Sequence, residues 1–217
     1  MAGSWTSEDV EALAAMGRVK RYRRGAVLFN EGEEAGHVVV VRSGRVKVSS
    51  YTEGGKEIVL AVREPGELLA ELSAIDGEPR GATATALELV DASLVSAADF
   101  RSFLEERPRV AFALLEMTAG KLRDADRKRV EFGAYDTTGR VARRLVEMAE
   151  RFGEDTGDGD GVRITLPLSQ LELAGWTGSS REAVSKSLQQ LRARGFIETA
   201  RRGITVLDLA GLRRRAT

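Results

Sequence analysis

Two groups of residues in this chain have the types and spacing for chemistry. The first is Ser179-Ser180-Arg181-Glu182, which opens a helical pattern with Val184, Leu188 and Leu191 as its apolar stripe, the i, i+4, i+7 spacing of one buried face. Arg181, Glu182, Ser185, Lys186 and Gln189 fall mostly on the other side. Arginine can chelate O6 and N7 of guanine, and glutamate can accept from N4 of cytosine. A solvated surface helix would look similar, because Ser179 and Glu182 have capping-box spacing and acid suits a first turn. The second group lies in "PGELLAELSAIDGEPRGATATA", residues 65–86, where Glu67 and Glu71 precede a short apolar segment and Pro79-Arg80-Gly81-Ala82. A glycine loop with one arginine can cradle a phosphate through backbone N–H groups and the guanidinium. Glu71, nine residues earlier, could accept from a ribose hydroxyl. On chemistry alone, a surface loop with a salt bridge serves equally well.

These groups need elements to position them. A short amphipathic helix is predicted around 7–16. Beyond it, β-rich runs at Val27–Phe29, Val38–Val41 and Val46–Val48 are separated by Gly32, Gly36 and Gly44, where tight turns want a positive φ. The rhythm continues past Gly54-Gly55, and "ATATALELVDASLVS" adds two strands. Short strands at such spacing predict a small antiparallel barrel or sandwich. From Ala98 a short helix ends at Pro108. About 25 residues without a proline follow, in which Leu115, Thr118, Leu122, Ala125 and Phe132 recur at roughly heptad spacing. So long a seam suits a partner helix, the alternative being packing against the chain's own barrel. "DTTGRVARRLVEMAERFG" reads as another helix. Asp155, Asp158 and Asp160 have the wrong spacing for a calcium loop and no closing glutamate, so a solvated turn fits better.

The last third, "LPLSQLELAGWTGSSREAVSKSLQQLRARGFIETARRGITVLD", reads as two helices and a hairpin. Ser169 and Glu172 form one capping box, Ser179 and Glu182 a second, with Ala174 and Gly178 between them. This is helix-turn-helix spacing, followed by a basic hairpin tip at Arg201-Arg202-Gly203. In such a motif the second helix enters the major groove with its N-terminal residues leading. Ser169, Ser180 and the arginines of the tip, Arg202 among them, would hold phosphates. Charge agrees. Residues 1–135 carry 19 Lys+Arg against 22 Asp+Glu, while residues 181–217 carry nine against three, a local +6 in a chain of net charge zero.

Other functions are excluded by what is missing. There is no cysteine, so disulfides, thiolate zinc sites and cysteine-ligated iron–sulfur clusters are out, and a cytoplasmic home is expected. The single histidine, His37, is too few for a histidine-rich metal or haem site and reads as an ordinary strand residue. No apolar run approaches a membrane span, and the acidic start is no secretory signal. No nucleophile, metal set or acid–base partner accompanies Glu71 and Arg80, so catalysis is not expected and no metal site is expected.

From about residue 20 to the end, the chain resembles the CRP/FNR family of bacterial transcription regulators. "GELLAELSAIDGEPRGA" is similar to the family's cyclic-nucleotide cassette, "GRVARRLVEMA" to its first helix beyond the hinge, and "GSSREAVSKSL" to its recognition helix. The resemblance implies an α+β chain: an N-terminal jelly-roll-like β-barrel (1–108), a long dimerisation helix (109–135) and a C-terminal winged helix-turn-helix domain (136–217). It implies a homodimer on a palindromic double-stranded DNA operator, RNA polymerase as a further partner, no membrane, and a cyclic nucleotide (cAMP or cGMP) as effector. By carry-over Glu71 matches the ribose-binding glutamate and Arg80 the phosphate-binding arginine, with Leu72, Ser73, Gly81 and Ala82 around them. Arg181, Glu182 and Lys186 match base-reading positions. Two departures stand out: Ala70 replaces the usual glycine before the glutamate, and Gly81 the usual hydroxyl residue after the arginine. Ala125 and Asp126 occupy places where cAMP-responsive members put two hydroxyl residues that touch adenine, so an adenine preference does not carry over. A sensor acting through protein contacts, and a regulator with an empty barrel, stay open as alternatives.

Overall fold

The computed structural model describes residues 5–157, 161–167, 169–200 and 203–216. They form two compact units, residues 1–55 with 59–124 and residues 56–58 with 125–217.

The first unit is built on two antiparallel four-stranded sheets. One has the order β1 (Arg18–Tyr22), β8 (Val90–Ser96), β3 (His37–Ser43), β6 (Leu68–Leu69); the other runs β2 (Val27–Phe29), β7 (Thr83–Ala86), β4 (Val46–Tyr51), β5 (Glu57–Arg63). Strand β3 shows why its sequence is an unbroken valine run. Val39 and Val41 point into a core shared with Tyr22, Phe29, Val46 and Ala84 from both sheets. Val38 and Val40 point the other way, onto Leu13 of α1 (Ser7–Ala15), Phe100 and Phe103 of α3 (Ala97–Glu106) and Val110 and Leu114 of α4 (Pro108–Ala134). A strand covered on both faces has no polar side to alternate with. Asp9 anchors α1 twice, closing a capping box with Thr6 and accepting from Arg109 Nη2 at 2.6 Å. Helix α3 ends at Glu106, just ahead of Pro108 as expected, and the same proline opens α4. Its missing N–H is no loss in a first turn.

Helix α4 is 27 residues long. Phe112, Leu115, Leu122, Val130 and Phe132 along it are each about half exposed or more. Its last turns belong to the second unit, where Glu131 is buried between Arg143 Nε at 2.7 Å and Arg144 Nη2. Those arginines sit on α5 (Thr137–Phe152), whose face of Val141, Leu145, Met148 and Phe152 is buried. Around it lie α6 (Gln170–Thr177), α7 (Arg181–Ala193) and α8 (Leu209–Arg215). A sheet of order β11 (Ile197–Ala200), β12 (Gly203–Val206), β10 (Val162–Ile164), β9 (Gly153–Asp155) completes the unit. No described helix is long and apolar enough to cross a membrane.

Asp136 caps α5, accepting from Gly139 N at 2.7 Å and from Arg215 Nη2 at 2.7 and 2.9 Å. The Gly139 amide first, then Arg215, holds its carboxyl below the ordinary value of 3.8. A carboxyl depressed in the fold stabilises fully above its unfolded pKa and loses that contribution as pH falls through the folded one. Asp136→Ala should cost about 1 kcal/mol in urea melts at neutral pH. The gap from wild type should close below pH 3.8.

Candidate effector pocket and nucleic-acid interface

In the first unit, Arg80 is fixed by its backbone before its side chain matters. Its N–H donates to Glu33 O and its carbonyl accepts from Gly32 N, both at 2.8 Å, which ties its loop to the β2–β3 connection. The side chain then runs inward and is 2% exposed. Nη1 donates to Ala70 O at 3.2 Å, Nη2 donates to His37 O at 2.5 Å, and the guanidinium lies 4.9 Å from the Phe29 ring centre. It forms no ion pair among the described residues, and Nε is buried without a hydrogen-bond partner there. Burial pushes its pKa down; Glu33 pulls the other way. A buried cation without a contacting carboxylate is costly unless an anion completes it.

Glu71 stands next to the carbonyl that Arg80 grips, at the start of α2 (Glu71–Asp76). It is 4% exposed, and Oε1 accepts from Lys121 Nζ of α4 at 2.5 Å. Ser73 is buried and donates to Pro79 O at 3.3 Å, holding the helix to the Arg80 loop. Leu72 is exposed on the outer side of α2, as is Ile75. Ala82 is half-buried just before β7. Gly81 is exposed, its φ is not left-handed, and a Cβ there would meet nothing within 4 Å. Ala70 caps α2 at φ 64°, the one non-glycine residue with positive φ among the described residues. Asp126 lies in the second unit, largely exposed and 3.9 Å from Arg129. Lys121 and Phe29 were not singled out by the sequence. A pair fifty positions apart, such as Glu71–Lys121, leaves no mark in local spacing.

In the second unit, Ser169 and Glu172 form the expected capping box on α6. Gly178 makes the turn at φ 63°, and a Cβ there would strike the ring of Phe132. The second expected box does not form. Helix α7 starts one residue later than that box requires, so Ser180 is the cap and accepts from Ala183 N at 3.1 Å. Ala183 has no carboxylate to answer with. Ser179 is instead buried, donating to Thr177 O and accepting from Arg140 Nη2, each at 3.2 Å. Arg140 also donates to Thr177 O at 3.0 Å and Tyr135 O at 2.6 Å, and its guanidinium lies 5.6 Å from the Phe132 ring centre.

Val184, Leu188 and Leu191 are buried. Arg181, Glu182, Lys186 and Gln189 are exposed on the other side, with Ser185 half-buried. Arg181 and Lys186 form no hydrogen bond or ion pair among the described residues. The Glu182 carboxyl is held below its ordinary value by its own backbone N–H first, then by the Ser180 hydroxyl. The expected hairpin is present as β11 and β12; Arg201 and Arg202, which follow β11 in the sequence, lie outside the described residues. Among the described residues no His, Asp or Glu cluster could hold a metal ion.

Residues 19–107 match the cyclic nucleotide-binding domain, and residues 139–215 match the Crp-like helix-turn-helix domain. A CRP-like cAMP-activated global transcriptional regulator of Mycobacterium tuberculosis is 33% identical, over 99% of this chain and 96% of the relative. The chain belongs to the CRP/FNR family of transcription regulators. The cyclic AMP receptor protein of Thermus thermophilus is 28% identical over 94% of this regulator and 90% of the relative. A solved CRP-family transcriptional regulator from Thermus thermophilus superposes with a TM-score of 0.76 at 30% identity, covering 91% of this regulator and 96% of that chain. The c-di-GMP responsive global regulator CLP of Xanthomonas campestris shares the fold, with a TM-score of 0.80 at 22% identity over 93% of this regulator and 99% of that chain.

Two turns of this regulator hold nearly the same left-handed backbone, one on alanine and one on glycine, and they should respond to exchange with opposite signs. Gly178→Ala adds both strain and a collision with Phe132, and should cost about 1–3 kcal/mol. Ala70→Gly relieves strain against added unfolded-state entropy, and should fall between no change and about 1 kcal/mol of gain. Urea melts of both variants check this.

Proposed function

We propose that this regulator works in the cytoplasm as a homodimer that reads a palindromic operator with two copies of α7 and takes an anionic effector, of the cyclic-nucleotide type, in its barrel. The observation that carries the DNA reading is the face of α7 on which Arg181, Glu182 and Lys186 project outward, opposite a fully buried apolar stripe. Arg181, Glu182, Ser185 and Lys186 are the base-reading side chains on this view. Ser169, Ser180 and Arg202 face phosphates, the two serines doing so by exchanging their present bonds to Glu172 and Glu182. RNA polymerase is the protein partner. The division of labour is 1–108 for sensing, 109–135 for pairing and 136–217 for DNA. The likeness to transcription regulators along nearly the whole chain supports a non-enzymatic role.

The effector reading rests on Arg80, a buried guanidinium lacking an ion pair among the described residues, which grips the carbonyl next in the chain to the buried Glu71. Glu71 would take a ribose hydroxyl and Arg80 the phosphate, with Ser73, Gly81 and Ala82 lining the cradle and Leu72 contributing backbone alone. Asp126 stands where the cAMP-responsive members of the family put a hydroxyl residue, so no adenine preference is assumed and cAMP and cGMP are both candidates. One observation favours the rival, a barrel that works empty: Glu71 already has Lys121, and both Arg80 amino groups already have carbonyls. Calorimetry with cAMP, cGMP and a cyclic dinucleotide separates the two. Heat with one of them, and a matching rise in operator affinity, supports the effector; no heat with any supports the empty barrel.

Arg181→Ala should cost about 1–3 kcal/mol on the specific site and far less on random DNA. Equal losses on both, measured by titration at fixed salt, would assign Arg181 to the surface alone. Leu122→Glu should weaken the dimer by setting two carboxylates in the apolar seam of α4, read by light scattering at micromolar protein. A wild-type chain of monomer mass across that range would refute the homodimer.

A further inference from the structure

The chain's one histidine stands where the Arg80 side chain ends. His37 opens β3, and its residue parity is that of Val39 and Val41, which face the interior core shared by both sheets. Its backbone carbonyl accepts from Arg80 Nη2 at 2.5 Å. Its ring lies within electrostatic reach of the same guanidinium, and Nε2 is buried without a hydrogen-bond partner among the described residues. Arg80 Nε is in the same condition. Two buried nitrogens left unsatisfied on neighbouring groups call for an oxygen-bearing guest, since buried polar atoms are almost always paired.

We propose that His37 is a residue of the effector site, giving its Nε2–H to a phosphate oxygen of the anion held by Arg80. This rests on the effector reading above and extends it. A neutral imidazole in the Nε2–H form donates one hydrogen bond; a protonated one donates it with charge, which suits a phosphate better. The charged groups facing the ring are Arg80, Lys20 from β1 and Glu33 from the β2–β3 connection. Burial first, then Arg80 and Lys20, pushes the His37 pKa below its ordinary 6.5, with Glu33 opposing. In the absence of an anion the ring is therefore neutral at neutral pH. A bound phosphate reverses the balance around it. Binding then takes up a proton, and affinity rises as pH falls toward 6.

The single histidine makes the test direct, because its ring resonances need no assignment. Full-length protein is titrated with cAMP, with cGMP and with inorganic phosphate, following the His37 ring nitrogens by NMR and the heat by calorimetry at pH 8 and pH 6. The expected result is a shift of Nε2 and a raised His37 pKa on binding, with affinity about three- to tenfold tighter at pH 6. His37→Gln should still bind, but with that pH dependence gone. A shift with inorganic phosphate alone also supports the site. Nucleotide heat with unmoved ring signals, or with an unchanged pH dependence in His37→Gln, overturns the role of His37 and leaves the effector reading intact. No heat and no ring shift with any of the three probes, or with a cyclic dinucleotide, overturns both.

Discussion

A guanidinium that is 2% exposed sets the terms for the first unit. Arg80 is solvated by backbone carbonyls in place of water, one from β3 at His37 and one from the turn before α2 at Ala70. For Ala70 O to serve, the chain between β6 and α2 must turn through a left-handed residue, and it does so on an alanine at φ 64°. That same turn delivers Glu71 into a buried position beside Lys121. Removing the charge would release two constraints together, the β3 end and the strained turn, while the loop would stay tied to Glu33 through the Arg80 backbone. A buried ion held by several good dipoles contributes specificity of geometry more surely than net stability.

The second unit repeats this logic around Arg140. Its guanidinium collects the carbonyls of Tyr135 and Thr177 and the hydroxyl of Ser179, and lies against Phe132. The turn between α6 and α7 is thereby fixed from one side by hydrogen bonds and from the other by an aromatic ring packed where a side chain at 178 would stand. The direction in which α7 leaves the turn is set by these contacts, none of which uses a residue facing outward from α7.

The sequence made most of the architecture legible because hydrophobic period and turn chemistry were strong. The valine run of β3, the glycine-separated strands, the proline-free stretch of α4 and the box of Ser169 with Glu172 are all local signals. The helix-turn-helix was readable for the same reason. What stayed hidden was non-local. The ion pair of Glu71 with Lys121 and the bond from Arg80 to the carbonyl of the strand residue His37 join positions 50 and 43 apart. The misplaced box at Ser179 has a different origin. Two adjacent serines offer two possible caps, and only the tertiary demand of Arg140 for a hydroxyl at 179 decides between them.

That decision also sorts the polar groups of the two helices α6 and α7 into two kinds. Ser180 uses its oxygen on Ala183 N and its proton on Glu182; Ser169 does the same with Glu172. Ser179 is enclosed. These hydroxyls shape the motif in the free protein, and their exchange for a phosphate carries an opposing loss of cap. Arg181 and Lys186 carry no such obligation, having no hydrogen bond or ion pair among the described residues to give up. Their charges are available to a polyanion without repacking, so on the proposed reading attraction to DNA would fall to side chains that folding does not use. Holding α7 in place and recognising an operator would therefore be separable on that reading: residues that hold α7 are buried or capped, and the outward-facing ones could change with the operator.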